Sequence, residues 1–245
     1  SKVTSSSDML NFGSTNQINI LKTPYNNSSA LAITTGSTLC NQDTGEVVTT
    51  VPANTTSSLT YVKKIELPSD WKTQIASSTY MTTPVTVSNI ERIYFPKTLN
   101  SAYIKIGTLS SGIGVYKDAY NSTYIAFYSE NKIFTPTNST QLFYGLNVSQ
   151  MSFENVVTTQ TTNMTQMFAN CTSMLILDLS TFDMKNVSTV SNMLNFGTSS
   201  SIGRLLTPYN NSTAIAISSG STLYDVSTGD TYTGVLAGST SSKTV

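Results

Sequence analysis

The chain has 245 residues, room for one or two compact domains or one elongated repeat array, and its 13 basic and 13 acidic residues cancel. Charged residues are 11%, while Ser and Thr make up roughly a third of the chain, well outside ordinary usage. Arg92 and Arg204 are the only arginines, so no phosphate-neutralising patch can be assembled, which argues against nucleic acid as a partner; the absence of histidine removes Ser-His-Asp and Cys-His nucleophile activation and His-ligated zinc.

From the N-terminus, residues 3–61 align without a gap onto 187–245, at an offset of 184, with about half of the positions identical. Met9-Leu10-Asn11-Phe12-Gly13 returns as Met193-Leu194-Asn195-Phe196-Gly197, and Thr23-Pro24-Tyr25-Asn26-Asn27-Ser28 returns from Thr207 to Ser212. An ungapped match of this length marks a tandem duplication, which has to be settled before the fold. The expected organisation is 1–61 as the C-terminal part of a preceding superrepeat and 62–245 as one complete superrepeat. The latter divides into divergent strands with an insertion at 62–129, coils at 130–210, and a hairpin and connector at 211–245.

A finer pattern recurs six times in chain order: apolar, two residues, apolar, one residue, then apolar or Thr. The triplets are Ile18/Leu21/Thr23, Val62/Ile65/Leu67, Ile90/Ile93/Phe95, Val148/Met151/Phe153, Met174/Leu177/Leu179 and Ile202/Leu205/Thr207. Pro24, Pro68, Pro96 and Pro208 follow four of them, and a proline there ends strand pairing because it has no N–H to donate. Each triplet therefore predicts a short strand whose last two members point inward. The outward position between those two reads Lys22, Glu66, Tyr94, Ser152, Asp178 and Leu206 along the chain. The 26- and 28-residue spacings of the later triplets match one coil of a solenoid, and stacked coils would align all six strands in one ladder. Between the first two triplets, Leu39–Val48 reads as a hairpin turning at Thr44-Gly45, and its copy Leu223–Tyr232 turns at Thr228-Gly229. After the third, 102–106 and 123–128 read as added strands.

At 162–196 the wording Met167-Phe168-Ala169-Asn170-Cys171, Leu177-Asp178-Leu179 and Asn186-Val187-Ser188 resembles the BspA-like leucine-rich repeats of bacterial surface proteins. The resemblance covers 130–210 and part of 1–25. Met167, Phe168, Cys171, Leu177, Leu179, Phe182, Val187 and Met193 match its buried positions; the coil before it, with Leu142-Phe143-Tyr144-Gly145, matches less closely, and 62–129 departs from it. The resemblance implies a mainly β fold, a leucine-rich-repeat solenoid with irregular coils and β-hairpin insertions, in a secreted or cell-surface protein used in adhesion and without enzyme activity.

The expected function is a structural or adhesive segment of a long extracellular surface protein or filament, continued end to end by identical repeats or subunits. No catalytic, metal or cofactor-binding residue is proposed; carboxylates such as Asp178, Asp183, Glu130 and Glu154 read as single acids on strands and turns. The alternative is a module recognising a host or matrix glycoprotein or glycan through the insertion at 97–129, where Tyr103, Tyr116, Tyr120, Tyr124 and Tyr128 offer large rigid contact area at low entropic cost. Asn-X-Ser/Thr triplets begin at Asn26, Asn27, Asn54, Asn121, Asn138, Asn147, Asn163, Asn170, Asn186, Asn210 and Asn211 and mark candidate glycosylation sites on surface loops. Cys40 and Cys171 read as small buried core residues. No required bridge is expected, since Tyr224 replaces Cys40 in the second copy. No apolar run reaches the roughly 20 residues of a membrane span, and the first residues lack a signal-peptide core.

Overall fold

The structure, a computed structural model, describes residues 9–245; the start of the 1–61 segment and residues 3–8 of the first copy lie outside the described residues. The fold is mainly β, with one short α-helix, Trp71–Ile75, among the described residues. The chain divides into two compact units, 1–65 and 66–245. The division falls four residues beyond the expected 61/62 boundary because Thr60–Lys63 pairs on both sides with strands of the first unit.

The second unit is built on a seven-stranded sheet. Its spatial order is Tyr103–Thr108, Gly114–Asp118, Tyr124–Tyr128, Arg92–Tyr94, Gln150–Ser152, Ile176–Asp178 and Arg204–Leu206. The last five are parallel and in register, so that Ile125, Ile93, Met151, Leu177 and Leu205 stand opposite one another. All five are fully buried. Burying each such side chain contributes about 1.5–3 kcal/mol, and the row repeats at every rung because side chains on a strand alternate faces. The first triplet members Ile90, Val148, Met174 and Ile202 are buried beside them.

Behind the ladder, rings stack from rung to rung. Phe95 lies 5.1 Å from both Phe127 and Phe153 in near-parallel stacks, and Phe153 meets Phe182 edge-on at 5.0 Å. Offset and edge-on pairs of this kind add about 0.5–1.5 kcal/mol each beyond their burial. Trp71 caps this aromatic core: it is fully buried, packs edge-on against Phe127 at 5.3 Å, and its Nε1 donates to Leu142 O at 3.0 Å. Away from the strands, successive segments remain linked through their turns, as in Phe143 N–H to Met167 O and Phe168 N–H to Met193 O.

Four of the six triplets form the ladder, not all six. Ile20–Lys22 instead pairs antiparallel with Thr60–Lys63, which carries Val62 of the second triplet. The physical reason is that period-2 apolar spacing reports which face of a strand points inward and says nothing of the direction in which its neighbour runs. Tyr124–Tyr128 joins the ladder beside Arg92–Tyr94.

The first unit contains a three-stranded sheet (Leu10–Asn11, Leu31–Thr34, Thr50–Val51) and a four-stranded one (Ile20–Lys22, Thr60–Lys63, Leu39–Asn41, Val47–Val48). Leu10, Leu21, Leu31, Leu39, Val51 and Tyr61 close its core. The copy at 193–245, inside the second unit, repeats these pairings at the 184 offset. Leu10 opposite Ile33 becomes Leu194 opposite Ile217, Leu31 opposite Val51 becomes Ile215 opposite Val235, and Leu39 opposite Val48 becomes Leu223 opposite Tyr232. Lys22 opposite Thr60 becomes Leu206 opposite Thr244. Both hairpins turn through a left-handed glycine, Gly45 at φ 73° and Gly229 at φ 78°, a conformation that a side chain would strain.

Candidate functional site

Residues directly opposite on neighbouring strands share a sheet face, and alternate residues on a strand share it as well. The registers place Lys105, Tyr116, Ala126, Tyr94, Ser152, Asp178 and Leu206 in one outward row of the seven-stranded sheet. A second row on the same face carries Tyr103, Asp118, Tyr124, Arg92, Gln150, Ile176 and Arg204. Tyr128, opposite Gly114, completes the face. The end of the sheet built by the insertion is therefore lined by Tyr94, Tyr103, Tyr116, Tyr124 and Tyr128.

Four of the five tyrosines expected from the sequence are brought together here. Tyr120 is not: it sits in the turn after Gly114–Asp118, 92% exposed, with its N–H bound to Asp118 Oδ1. Tyr94 and Arg92 join the group in its place. Their membership follows from the register between Arg92–Tyr94 and Tyr124–Tyr128, strands separated by most of the insertion, and spacing within either strand carries no sign of it. The expected outward row through Lys22 and Glu66 is correspondingly shortened to Tyr94, Ser152, Asp178 and Leu206.

The face is held by weak polar contacts among half-buried groups. The Arg92 guanidinium lies 4.4 Å from the centre of the Tyr124 ring, a cation–π contact, and its Nη1 donates to Tyr94 Oη at 3.4 Å. Tyr94 Oη in turn donates to Gln150 Oε1 at 3.4 Å, and Tyr116 meets Tyr128 edge-on at 6.2 Å. The hydrogen bond to Tyr94 is the main reason Arg92 is held above its ordinary pKa. Burial, with the charges of Tyr94 and Asp118 behind it, pushes the Tyr103 phenol up to about 12. The face thus presents five phenol rings, the Arg92 guanidinium and the Lys105 ammonium, the amide of Gln150 and the carboxylate of Asp118. Such a surface supplies stacking and hydrogen bonding.

Three of the four carboxylates singled out in the sequence are engaged in local hydrogen bonds. Asp178 Oδ1 accepts from the Ser180 N–H (2.9 Å) and hydroxyl (2.6 Å), Asp183 Oδ1 from Lys185 N–H and Asn210 Nδ2 (3.1 Å each), and Glu154 Oε2 from Lys97 N–H (3.4 Å). Among the described residues, no group of three or more Cys, Asp or Glu is placed to hold a metal ion, and no helix is long and apolar enough to cross a membrane. Cys40 and Cys171 are free and fully buried, and burial pushes both thiols up to about 11. The Cys171 thiol donates to Phe143 O at 3.1 Å. A cleft of about 250 Å³ lies beside Pro84, Val85, Asn89, Ile90, Ile106 and Lys117, below the ~300–1,000 Å³ range of small-molecule sites.

Three of the eleven Asn-X-Ser/Thr triplets form a local backbone motif. Asn121, Asn138 and Asn163 each use Oδ1 to accept the backbone N–H two residues on, from Thr123, Thr140 and Thr165. These are Asx-turns, which place Asn and Thr at this spacing for reasons of backbone geometry. Asn26, Asn54, Asn147, Asn170 and Asn186 are exposed, although Asn170 Nδ2 donates to Tyr144 Oη and Asn186 Nδ2 to Thr159 O. Asn210 is half-buried against Asp183. Asn211 is buried, and its Nδ2 donates to both Thr213 O and Leu236 O, as the Asn27 Nδ2 does to Ser29 O and Pro52 O. A sugar on Asn211 Nδ2 would take the place of at least one of these two hydrogen bonds at a buried side chain, so this position is a poor acceptor in the folded chain.

Compared with known proteins, the chain matches no family model, no curated protein and no solved structure.

Proposed function

We propose that this chain is a structural or adhesive tandem-repeat segment of a long extracellular surface protein or filament, folded as a BspA-like leucine-rich-repeat solenoid with irregular coils and β-hairpin insertions, and acting without catalysis or cofactor. One observation carries the reading: the pairs Leu10 with Ile33 and Leu31 with Val51 recur 184 residues later as Leu194 with Ile217 and Ile215 with Val235, and the rungs before the second copy stack in parallel register. A stack of this kind extends by adding copies, each covering the apolar flank of the one before. The neutral surface rich in Ser, Thr and Asn suits a spacer that must stay hydrated without attracting charged partners. Its partners are then identical neighbouring repeats or subunits.

A second reading is favoured by the tyrosine face. Five tyrosines around one arginine form an interaction surface of the composition found at binding hot spots, and the partner would be a host or matrix glycoprotein or glycan. A glycan and matrix-protein array probed with the whole chain separates the two. A spacer binds nothing on it. A binding module gives a signal that Tyr124→Ala and Arg92→Ala abolish while leaving circular dichroism unchanged. A signal that survives both substitutions would remove the tyrosine face from the account.

A further inference from the structure

The two copies have one fold but different surroundings. In the second unit, the segment 164–184 lies against the flank of the copy. Phe168 and Asn170 donate N–H bonds to Met193 O (3.1 Å) and Asn195 O (2.9 Å), Arg204 N–H reaches Leu175 O (3.0 Å), Leu179 N–H reaches Leu206 O (2.9 Å), and Tyr209 N–H reaches Phe182 O (3.1 Å). Under this cover Met193, Phe196 and Ile202 are all 0% exposed.

Their counterparts in the first unit are Met9, Phe12 and Ile18. Met9 is 49% exposed, Phe12 and Ile18 are half-buried, and Tyr25 is 59% exposed where Tyr209 is half-buried. Met9 is the exception among the eight methionines of the chain, since the other seven are at most 2% exposed. The backbone repeats the asymmetry. Ile20–Lys22 is an edge strand of its sheet, whereas its counterpart Arg204–Leu206 is held on one side by Ile176–Asp178 and on the other at Thr244; Leu10–Asn11 and Leu194–Gly197 are both edge strands, and the second receives the Asn170 amide at Asn195 O. An edge strand beside exposed apolar side chains is a ready template for strand addition.

We infer that the flank formed by Met9, Phe12, Ile18, Ile20 and Tyr25 is a docking surface for a coil of the sequence 164–184 carried by another copy of this repeat. The inference rests on the repeat reading above and adds the surface, the occupant and the register. The second unit specifies the contacts at the 184 offset. In the occupant, the amides corresponding to Phe168, Asn170 and Leu179 bind the carbonyls of Met9, Asn11 and Lys22. The carbonyls corresponding to Leu175 and Phe182 accept from Ile20 and Tyr25. The carboxylate corresponding to Asp183, which accepts from Asn210 Nδ2 at 3.1 Å, meets Asn26. Asn26 and Asn210 share the left-handed backbone needed there, φ 57° and 56°.

The test compares the 245-residue chain with an extended chain in which a second copy of residues 62–186 is placed directly before Val3. Both are exposed to hydrogen peroxide, and oxidation of each methionine is followed by peptide mapping. In the 245-residue chain Met9 oxidises first. In the extended chain it slows by about tenfold or more, toward the rate of Met193, because oxidation follows exposure. Ile18→Glu in the extended chain returns Met9 to its fast rate while leaving Met193 protected. Hydrogen exchange on the added segment distinguishes the two ways of failing. If its strands are protected and Met9 stays fast, the docking inference is wrong and the repeat reading stands; if they are unprotected, the repeat reading fails and the inference with it.

Discussion

Residues 9–61 and 193–245 form a controlled comparison within one molecule. They share about half of their side chains and three matching strand pairs, yet the second copy has a buried flank and a buried carboxylate that the first lacks. Phe196 is 0% exposed and Phe12 half-buried; Asp225, bound to Lys243, stands where the first copy has Asn41, and Lys243 where it has Leu59. The fold of the copy is therefore set by its own residues, through Asx and glycine turns and an inward Leu/Ile/Val set, while the burial of its flank is set by the neighbouring segment.

The largest disruption comes from within the ladder. Leu177 is 0% exposed and flanked by Met151 and Leu205, and Leu177→Asp buries an unpaired charge at a cost of several kcal/mol. Urea titration of the variant should show the 66–245 unit unfolded or close to it. A fully folded variant would break the inward assignment.

Truncating the equivalent aromatic in each copy sharpens the comparison. Phe196→Ala should cost about 3–5 kcal/mol, as deletion of a fully buried ring does. Phe12→Ala should cost well under half of that, because its ring already faces solvent in part. Equal losses in denaturant titrations would mean that the flank is covered in both copies.

Glycine substitutions should instead act alike in the two copies. A Cβ at Gly36 would lie 2.6 Å from Ser14 O, and one at Gly220 would lie 2.4 Å from Thr198 O, the same contact at the 184 offset. Gly36→Ala and Gly220→Ala should each destabilise by about 1–3 kcal/mol, the usual range for overpacking, and calorimetry should find the two close to one another.

The smallest effect is electrostatic and belongs to the second copy alone. The Lys243 ammonium and the Ser227 hydroxyl and N–H hold the Asp225 carboxyl well below the usual carboxylate range. A depressed folded pKa contributes stability that is present above the unfolded value, about 3.9, and is lost as pH falls through the folded value. Thermal melts should therefore show the wild type losing stability below about pH 4 more steeply than Asp225→Asn, which carries the first copy's amide.

The periodic features are legible in the amino-acid sequence itself. Triplet spacing marks Ile93, Met151, Leu177 and Leu205 as inward, and Thr-Gly marks both hairpins, because side-chain alternation and left-handed turns leave a local trace. Strand direction and spatial order leave none. The antiparallel seat of Ile20–Lys22, the insertion of Tyr124–Tyr128 beside Arg92–Tyr94, and the placing of Tyr94 and Arg92 among the tyrosines depend on contacts between distant segments. The Asn-X-Thr triplets are visible but ambiguous, since one spacing serves both a glycosylation acceptor and an Asx-turn.

Residue-resolved amide hydrogen exchange on the whole chain checks whether the two copies fold alike. Exchange should be slow at Ile93, Met151, Leu177 and Leu205. Protection should also match at pairs 184 residues apart, such as Ile33 with Ile217 and Asn41 with Asp225, whose amides bond to Thr49 O and Thr233 O and to Glu46 O and Asp230 O. Protection in 9–61 that falls on positions unrelated to those in 193–245 would contradict a shared fold.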